Sequence, residues 1–206
     1  MRRIADSTVR RLSLYLSGLE AFASQGIATV SSGTLATRGG TTSAQVRKDL
    51  SFFGSFGKRG LGYGVTELSA QLRDILGLKQ QYRLAFVGAG KMASALVHYR
   101  GFDQRGFHIQ AAYDVDPQKI GQSWNGLTVR NVRHLVAELK AHPVDIAVIM
   151  TPADAAQAVT DRLIGLRVKA ILNFAPVQLS VPDDVVVKTV NLALELETLS
   201  YALANR

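Results

Sequence analysis

A short apolar segment that leads into a glycine-rich loop constrains the fold of this chain more than any other feature. Residues 83–87 (RLAFV) have the composition of a buried strand, and Gly88-x-Gly90-x-x-Ala93 follows directly. A helix is predicted over residues 94–99. In such a unit Gly88 permits the tight turn, Gly90 lets a pyrophosphate approach the backbone, and Ala93 lets the helix pack on the strand. The loop therefore predicts a Rossmann-type domain that binds a dinucleotide, with the phosphates at a helix N-terminus.

An acidic residue stands where such a domain contacts the adenosine ribose. A second strand is predicted over residues 107–113, and Asp114 follows it, 21 residues beyond Ala93. An acid at this place accepts hydrogen bonds from ribose hydroxyls. Because Asp116 is nearby and no Arg directly follows Asp114, a 2′-phosphate would meet like charge, so NAD(H) is favoured over NADP(H). The alternative is that Asp114 only caps the turn at Asp116 and Pro117.

The rest of the second half alternates between predicted helices and strands, as a parallel α/β sheet requires. The helices cover residues 131–141 and 153–163, and the strands cover residues 144–150 and 170–174. Both strands end at the edge where such sheets bind ligands. The residues expected to bind the dinucleotide are Gly88, Ala89, Gly90, Lys91, Met92, Ala93, Tyr99, Asp114, Val115, Thr151, Pro152, Asn173 and Phe174.

The last predicted helix, residues 190–206, is rich in leucine, and no later element exists to cover its apolar face. We therefore expect a partner subunit to cover it, which makes the protein a homodimer. The alternative is that this helix packs on its own domain.

The first 80 residues predict three short helices followed by a glycine-rich hairpin. The first helix is expected to be capped by Ser7 or Thr8, and the next two by serine or threonine near residues 31 and 42. The third helix, residues 44–53, follows a short glycine-containing turn, which is typical of a helix-turn-helix unit whose third helix enters a major groove. Its solvent-facing side carries Gln45, Arg47, Lys48 and Ser51.

Five glycines between residues 54 and 64 prevent a helix there and predict a β-hairpin with Lys58 and Arg59 at its tip. A hairpin with a basic tip after a helix-turn-helix is a wing, whose side chains follow the phosphate backbone or enter a minor groove. The alternative is a solvated hairpin with incidental charge. Residues 67–78 are predicted to form a helical linker.

Charge is unevenly divided along the chain. Residues 1–80 carry a net charge of +6 and residues 81–206 a net charge of +2, so most of the basic excess lies where a nucleic-acid-binding module is predicted. The absence of cysteine excludes disulfides and thiolate catalysis, and the four histidines lack metal-ligand spacing. No apolar run of about 18 residues and no signal-peptide core occur. We expect a cytoplasmic protein with no membrane segment and no metal.

Several distinct motifs are distributed along nearly the whole chain. They are residues 46–50 (VRKDL) and 53–63 (FGSFGKRGLGY), with shorter ones at 11–15, 105–107, 114–117, 156–157 and 172–176. With these motifs the chain resembles the Rex family of redox-sensing transcriptional repressors. The resemblance implies a winged helix on palindromic operator DNA, a C-terminal helix swapped between the subunits of a homodimer, and release of DNA when NADH binds, whereas NAD+ permits DNA binding. The implied DNA-binding residues are Arg11, Ser43, Gln45, Arg47, Lys48, Ser51, Lys58, Arg59 and Tyr63.

Two positions depart from the usual pattern of that family. Ala93 replaces the third glycine of the loop, which the fingerprint tolerates. Asn191 opens the last helix where the family usually has an Asp. The resemblance implies that this acid, together with the tyrosine that matches Tyr99, couples the cofactor state to the orientation of the domains. An amide can still form a hydrogen bond but carries no charge, so Tyr99 and Asn191 are the candidate coupling residues.

The sequence thus predicts an α/β protein with an α+β N-terminal domain. A winged helix over residues 1–80 precedes a Rossmann-type parallel sheet over residues 81–189 and a domain-swapped dimerisation helix over residues 190–206. NAD(H) is expected to act as a regulatory ligand of a repressor that is not an enzyme. Two alternatives stay open. One is an NAD-dependent enzyme, which needs a proton-transfer group and a substrate pocket, and the other is a regulator that reads another nucleotide such as coenzyme A.

Overall fold

The computed structural model of the chain describes residues 4–57 and 60–205. Its contacts group into two compact units that divide between residues 80 and 81, and each unit has its own apolar core. Within the described residues, none of the helices combines the length and the apolar composition that are needed to cross a lipid bilayer.

Helices dominate the first unit, together with one two-stranded sheet. In chain order its elements are α1 (Asp6–Ser24), β1 (Thr29–Val30), α2 (Ser32–Gly39), α3 (Ser43–Ser51), β2 (Tyr63–Gly64) and α4 (Val65–Ile75). The side chains of Ser31 and Thr42 accept hydrogen bonds from the backbone N–H groups of Thr34 and Gln45, so a cap at each predicted place is confirmed. Helices α2 and α3 contact each other, as the helix-turn-helix prediction requires.

Two predictions about the helices of this unit are wrong. Helix α1 begins one residue before Ser7, so Ser7 and Thr8 lie in its first turn and neither is the capping residue. The segment after β2 is not a linker, because Leu68 and Leu72 of α4 are buried in the same core as α1. The period of the apolar residues reveals a helix, but it does not reveal which surface that helix covers.

The predicted β-hairpin over residues 54–64 is wrong in its pairing. Strand β2 pairs antiparallel with β1, which comes from the segment before α2. Gly57 and Gly62 have φ angles of +74° and +84°, and a Cβ on either glycine would lie 2.4 Å from a backbone oxygen. These glycines therefore fold the described parts of the segment, residues 54–57 and 60–64, into close turns, and those residues form no strand besides β2.

A seven-stranded sheet flanked by helices forms the second unit. Its elements are β3 (Tyr82–Val87), α5 (Lys91–Val97), α6 (Gly101–Gln104), β4 (Phe107–Asp114), β5 (Ser123–Trp124), β6 (Leu127–Asn131), a 3₁₀ turn (Val132–His134), α7 (Leu135–Ala141), β7 (Ile146–Ile149), α8 (Ala153–Gly165), β8 (Ala170–Asn173), β9 (Val186–Thr189) and α9 (Leu192–Ala204). The strand order is β5-β6-β4-β3-β7-β8-β9, and only β5 pairs antiparallel to its neighbour. This order is that of a Rossmann-type fold, with its reversal between β3 and β7.

Several boundaries in this unit differ from the sequence predictions. Strands β5, β6 and β9 are not predicted at all, and α5 begins at Lys91, three residues earlier than expected. Strand β9 is short and largely exposed, and β6 alternates between exposed and more buried residues, so both lack the continuous apolar run that marks the central strands. The predicted helix over residues 131–141 begins with the last residue of β6 and the 3₁₀ turn.

Apolar side chains cover both faces of the sheet. Leu84 and Phe86 of β3 belong to a cluster on one face, and Ala85 and Val87 belong to a cluster on the other. Because β4, β3, β7 and β8 run parallel, their carboxyl ends lie along one edge of the sheet. This edge, next to the reversal of strand order, is where ligands bind in such sheets.

Candidate functional site

The loop between β3 and α5 is packed against the end of β7. Gly88 has a φ of +100°, and a Cβ there would lie 2.5 Å from the carbonyl oxygen of Met150. Close packing therefore requires a glycine at this position in addition to the turn. Gly90 has an ordinary φ of −87°, and a Cβ on it would meet no described atom within 4 Å. The space above Gly90 is open to a ligand.

The carboxylate of Asp114 is bound to this loop. It is 7% exposed, its Oδ2 accepts a hydrogen bond from the N–H of Ala89 at 2.7 Å, and its Oδ1 accepts one from the N–H of Asp116 at 2.8 Å. The Nζ of Lys119 lies 3.3 Å from Oδ2. Burial alone would raise the pKa of Asp114, but these hydrogen bonds and Lys119 hold the pKa below its usual value. Asp114 is ionised, and it caps the turn as the alternative required while remaining able to accept a further hydrogen bond.

A first cavity, of about 670 Å³, lies beside the loop. Thr151 Oγ1 is buried there without a hydrogen-bond partner among the described residues. A polar group of a ligand would satisfy this atom. Val132 of the 3₁₀ turn and Ala155, Ala158 and Val159 of α8 line the cavity with apolar side chains, which suit a nucleotide base. The predicted ligand residues that line this cavity are Gly88, Gly90, Asp114, Val115, Thr151 and Pro152.

A second cavity, of about 700 Å³, adjoins the first turn of α5. Met92, Phe174 and Asn191 line it, together with the start of α9. Gly90 and Met92, two residues apart, thus line different cavities. A ligand made of two halves joined by a pyrophosphate fits this arrangement, because its centre would lie at the N-terminus of α5.

Three other residues of the loop that were predicted to bind the ligand, Ala89, Lys91 and Ala93, line neither cavity. Ala89 and Ala93 are buried, and Ala93 packs in the cluster that contains Phe86 of β3. This is the packing role that a small residue at the third fingerprint position has. Lys91 is exposed at the first position of α5.

Tyr99 and Asn173 also line neither cavity. The ring of Tyr99 is 59% exposed and packs edge-to-face on Phe102, with the ring centres 5.2 Å apart. The side chain of Asn173 is fully buried and holds the turn after β8. It accepts a hydrogen bond from the N–H of Ala175 and donates to the carbonyls of Ala175 and Val177.

Two cations on the wall of the first cavity were not predicted from the sequence. Lys119 lies in the turn after β4, and Arg162 lies on α8. The spacing between Asp116 and Lys119, three residues within a turn that follows a strand, was the available signal for the first. For Arg162 no such signal existed, because its place on the cavity wall depends on how α8 packs on the sheet.

The exposed face of α3 carries most of the predicted recognition residues. Arg47, Lys48 and Ser51 are exposed, and Ser43 is half-buried at the start of the helix. Arg47 Nη1 donates a hydrogen bond to Ser32 Oγ at 2.9 Å, so this side chain spans from α3 to α2. The face therefore presents two cationic side chains and hydroxyl groups on one short helix.

A buried carboxylate ties α3 to α1. Asp49 is 0% exposed and accepts four hydrogen bonds, from Arg11 Nε and Nη2 at 2.6 and 2.7 Å, Tyr15 Oη at 2.9 Å and Gln45 Nε2 at 2.7 Å. Burial alone would raise the pKa of Asp49, but these hydrogen bonds lower it below the usual value. Arg11 and Gln45, both predicted to bind DNA, are thus engaged within the unit. The four-residue spacing of Gln45 and Asp49 was the signal for this contact.

The remaining predicted DNA-binding residues belong to the segment before α4. Tyr63 is 8% exposed and forms part of the core of the first unit. Lys58 and Arg59 lie outside the described residues.

Helix α9 exposes its apolar side chains. None of its described residues is buried, so the alternative that it packs on its own domain is wrong. Asn191 caps this helix, because its Oδ1 accepts a hydrogen bond from the N–H of Ala193 at 3.0 Å. The large side chains that are between 55% and 72% exposed are Leu192, Leu194, Leu196, Leu199, Tyr201 and Leu203.

The fold and the sites define a class of protein in which a helix-turn-helix unit precedes a Rossmann-type unit with nucleotide-sized cavities. The comparisons with known sequences agree with both halves. The family described as "Putative DNA-binding protein N-terminus" matches residues 3–51, and that described as "CoA binding domain" matches residues 79–177. The redox-sensing transcriptional repressor Rex of Desulfitobacterium hafniense is 45% identical over 204 residues, which cover 99% of this chain and 97% of the relative.

Three crystal structures of RSP, a Rex-family repressor, are similar to the chain over its full length. The complex with β-NADH has a TM-score of 0.91 at 34% identity, covering 100% of this chain and 96% of RSP. The complex with β-NAD+ and operator DNA has a TM-score of 0.93 at 35% identity, covering 100% and 94%. The chain belongs to the Rex family of redox-sensing transcriptional repressors. Its named relatives are regulators of transcription.

Proposed function

We propose that this protein is a cytoplasmic transcriptional repressor that senses the ratio of NADH to NAD+. It binds operator DNA with NAD+ or without a ligand and releases the DNA when NADH binds. The observation that carries the proposal is the pair of cavities lined by Gly90 and by Met92, two residues apart at the glycine loop, in a chain that also has a helix-turn-helix with a basic exposed face. The complexes of RSP with β-NADH and with β-NAD+ and operator DNA support it.

We assign the adenosine half of NAD(H) to the first cavity and the nicotinamide half to the second. Asp114 would accept a ribose hydroxyl, Thr151 Oγ1 would gain a polar partner, and the N–H groups at the start of α5 would face the pyrophosphate. Met92 and Phe174 form an apolar wall in the second cavity. An apolar wall favours the neutral ring of NADH over the charged ring of NAD+, because burying a charge is costly. Asn173 and Ala93 support the site through packing and turn geometry.

The DNA-binding role falls to the exposed face of α3. We assign Ser43, Arg47, Lys48 and Ser51 to the operator and keep Lys58 and Arg59 as predicted phosphate contacts. Arg11 and Gln45 are assigned to the support of α3 through Asp49, and Tyr63 to the core. We propose a winged-helix domain over residues 1–80, an NAD(H)-binding domain over 81–189 and a dimerisation helix over 190–206.

Helix α9 is assigned to the interface of a homodimer, because a second copy would cover its exposed leucines. Asn191 both caps α9 and lines the second cavity, so the contents of that cavity and the start of the dimerisation helix share one residue. We propose that this residue, with Tyr99, couples nucleotide binding to the position of the winged helices. Asn191→Asp, which restores the charge usual in the family, is expected to change the NADH concentration that releases DNA.

The deciding experiment is operator binding by fluorescence anisotropy, with a palindromic operator that the protein selects from random DNA. NADH should release the DNA at several fixed NAD+ concentrations, and NAD+ alone should not. Unchanged DNA binding at saturating NADH would contradict redox sensing, and failure to select any sequence would contradict the repressor. Arg47→Ala with Lys48→Ala should abolish operator binding while NADH binding persists, whereas Lys79→Ala, an exposed lysine of the same unit, should leave both unchanged.

The absence of enzymatic activity is part of the proposal. The purified protein, incubated with NADH and a panel of small carbonyl compounds, should show no turnover in the absorbance of NADH. Catalytic turnover with any of them would favour the NAD-dependent enzyme.

A second candidate ligand follows from the match of residues 79–177 to the family described as "CoA binding domain". Coenzyme A shares the adenosine diphosphate part of NAD(H), which the first cavity would hold. A thermal-shift comparison of NADH, NAD+ and coenzyme A separates the two candidates. Stronger stabilisation by coenzyme A than by NADH would favour the second one.

A further inference from the structure

Lys119 lies between the two acids at the ribose end of the first cavity. Its Nζ is 3.3 Å from Asp114 Oδ2 and 3.6 Å from Asp116 Oδ2, and its side chain is 36% exposed. These are the two acids whose charge was expected to reject a 2′-phosphate. In the structure the ammonium group of Lys119 forms an ion pair with each of these acids.

The turn after β4 fixes this arrangement. Asp116 Oδ1 accepts a hydrogen bond from the N–H of Gln118 at 2.9 Å, and the carbonyl of Asp116 accepts one from the N–H of Lys119 at 3.0 Å. These hydrogen bonds form a turn that begins at Asp116, and the turn brings the Lys119 side chain to the same end of the cavity as both carboxylates. The position of Lys119 is therefore fixed by the hydrogen bonds of this turn.

A second cation faces the same cavity. Arg162 of α8 is exposed, lines the first cavity, and forms no ion pair among the described residues. Asp114, Asp116, Lys119 and Arg162 together carry no net charge. Rejection of a 2′-phosphate at this end thus depends on the balance between Lys119 and the two acids, because Lys119 lies within 4 Å of both carboxylates and offsets part of their negative charge.

We infer that Lys119 is a specificity-determining residue for the nucleotide, which weakens the rejection of a 2′-phosphate by Asp114 and Asp116. The inference rests on the proposed function in that a nucleotide must occupy the first cavity. Removal of the cation should make the site more selective for NADH over NADPH. Removal of the charge of Asp116 should free Lys119 from one of its two partners and make the site less selective.

The test measures the dissociation constants of ADP-ribose and its 2′-phosphorylated form by calorimetry, and those of NADH and NADPH alongside. In Lys119→Met the preference for the unphosphorylated ligand should rise about tenfold, and in Asp116→Asn it should fall about tenfold. The fall should be much smaller when Asp116→Asn is combined with Lys119→Met. Lys140→Met and Asp183→Asn, exposed residues outside the lining of the first cavity, serve as matched charge controls.

An unchanged preference in Lys119→Met would overturn the inference, as would an Asp116→Asn effect of equal size with and without Lys119. Failure of the wild type to bind either form of ADP-ribose would overturn it as well. The outcome is separable from that of the proposed function. If the preference moves as expected but NADH leaves operator binding unchanged, the specificity role of Lys119 stands and redox sensing fails.

Discussion

Two buried carboxylates, Asp49 in the first unit and Asp114 in the second, differ in how many of their acceptor positions the protein itself occupies. Asp49 is 0% exposed and accepts four hydrogen bonds from side chains of its own unit. Asp114 is 7% exposed, accepts two hydrogen bonds from backbone N–H groups and contacts Lys119. A carboxylate has about four lone-pair positions. The fold of the first unit uses them all at Asp49, whereas Asp114, on a cavity wall, retains capacity for a ligand.

The donors at the two carboxylates also differ in kind. Side chains from α1 and α3 converge on Asp49, so this residue joins two helices. Backbone N–H groups of the glycine loop and of the turn after β4 converge on Asp114, so this residue fixes the shape of two loops. We therefore expect the loss of Asp49 to act on the stability of the first unit, and the loss of Asp114 to act mainly on ligand affinity.

The largest expected effect comes from Asp49→Ala. The substitution removes the partner of the Arg11 guanidinium and leaves the buried Tyr15 hydroxyl without an acceptor, so the free energy of unfolding of the first unit should fall by about 3 kcal/mol or more. Far-UV circular dichroism during urea titration should show an earlier transition. Operator binding should weaken because α3 loses its connection to α1.

Two controls locate this effect. Trp124, the single tryptophan, lies in the second unit, so its fluorescence reports on that unit separately. Asp74→Ala removes an exposed acid that pairs with Lys79 and should leave the transition unchanged within error. A wild-type transition in Asp49→Ala would show that Asp49 is not required for the stability of the first unit, and would contradict the structural role assigned to it.

The next effect concerns the loop that Asp114 holds. Gly88→Ala would place a Cβ 2.5 Å from the carbonyl oxygen of Met150 at a φ of +100°, so it should destabilise the second unit by about 2 kcal/mol or more and displace the Ala89 N–H from Asp114. Trp124 fluorescence during urea titration measures the loss.

Gly90→Ala is the matched variant for this loop. A Cβ on Gly90 meets no described atom within 4 Å, so the stability should change little, while NADH affinity should fall because the methyl group occupies the approach to the pyrophosphate. Equal stability losses in the two variants would contradict the separate roles of these glycines.

The sequence was sufficient for the central strands and the glycine loop of the second unit, and insufficient for its outer strands and for the strand pairing of the first unit. An apolar strand before Gly88 and an acid after the next strand are local signals, and both elements are confirmed. The pairing of β1 with β2 joins segments more than 30 residues apart, and no local pattern encodes such a contact. Strands β6 and β9 were not predicted because each is short and neither has a continuous apolar run.

The same distinction applies to the sites. Gly88, Asp114 and Thr151 were found because they follow predicted strands, and parallel strands end at one edge. Arg11 and Gln45 were assigned to DNA by resemblance and by helical spacing, neither of which reveals that Asp49 binds both side chains. Long-range partners of charged side chains emerge only from the packed structure.

Asp114→Ala tests whether Asp114 acts mainly on ligand affinity. Loss of a charged acceptor should weaken NADH binding by about tenfold or more, because a hydrogen bond to a charged group contributes about 1.5 to 3 kcal/mol. The stability loss of the second unit should be smaller than that of the first unit in Asp49→Ala. Calorimetric titration with NADH and Trp124 fluorescence give the two values. Unchanged NADH affinity with a large loss of stability would make Asp114 a structural residue like Asp49.

The smallest expected effect is the dependence of stability on pH. The folded-state pKa of Asp49 lies below its ordinary value of 3.8, so its contribution to stability is present above that value and is lost as the pH falls through the folded-state pKa. The difference in unfolding free energy between wild type and Asp49→Asn should therefore be constant above about pH 5 and should shrink on acidification by at most about 1.4 kcal/mol per pH unit, the limit for one proton. Urea titrations of both proteins across this range measure it. A difference that grows as the pH falls would mean that the buried carboxylate is protonated in the folded unit, and that its four hydrogen bonds do not hold the charge.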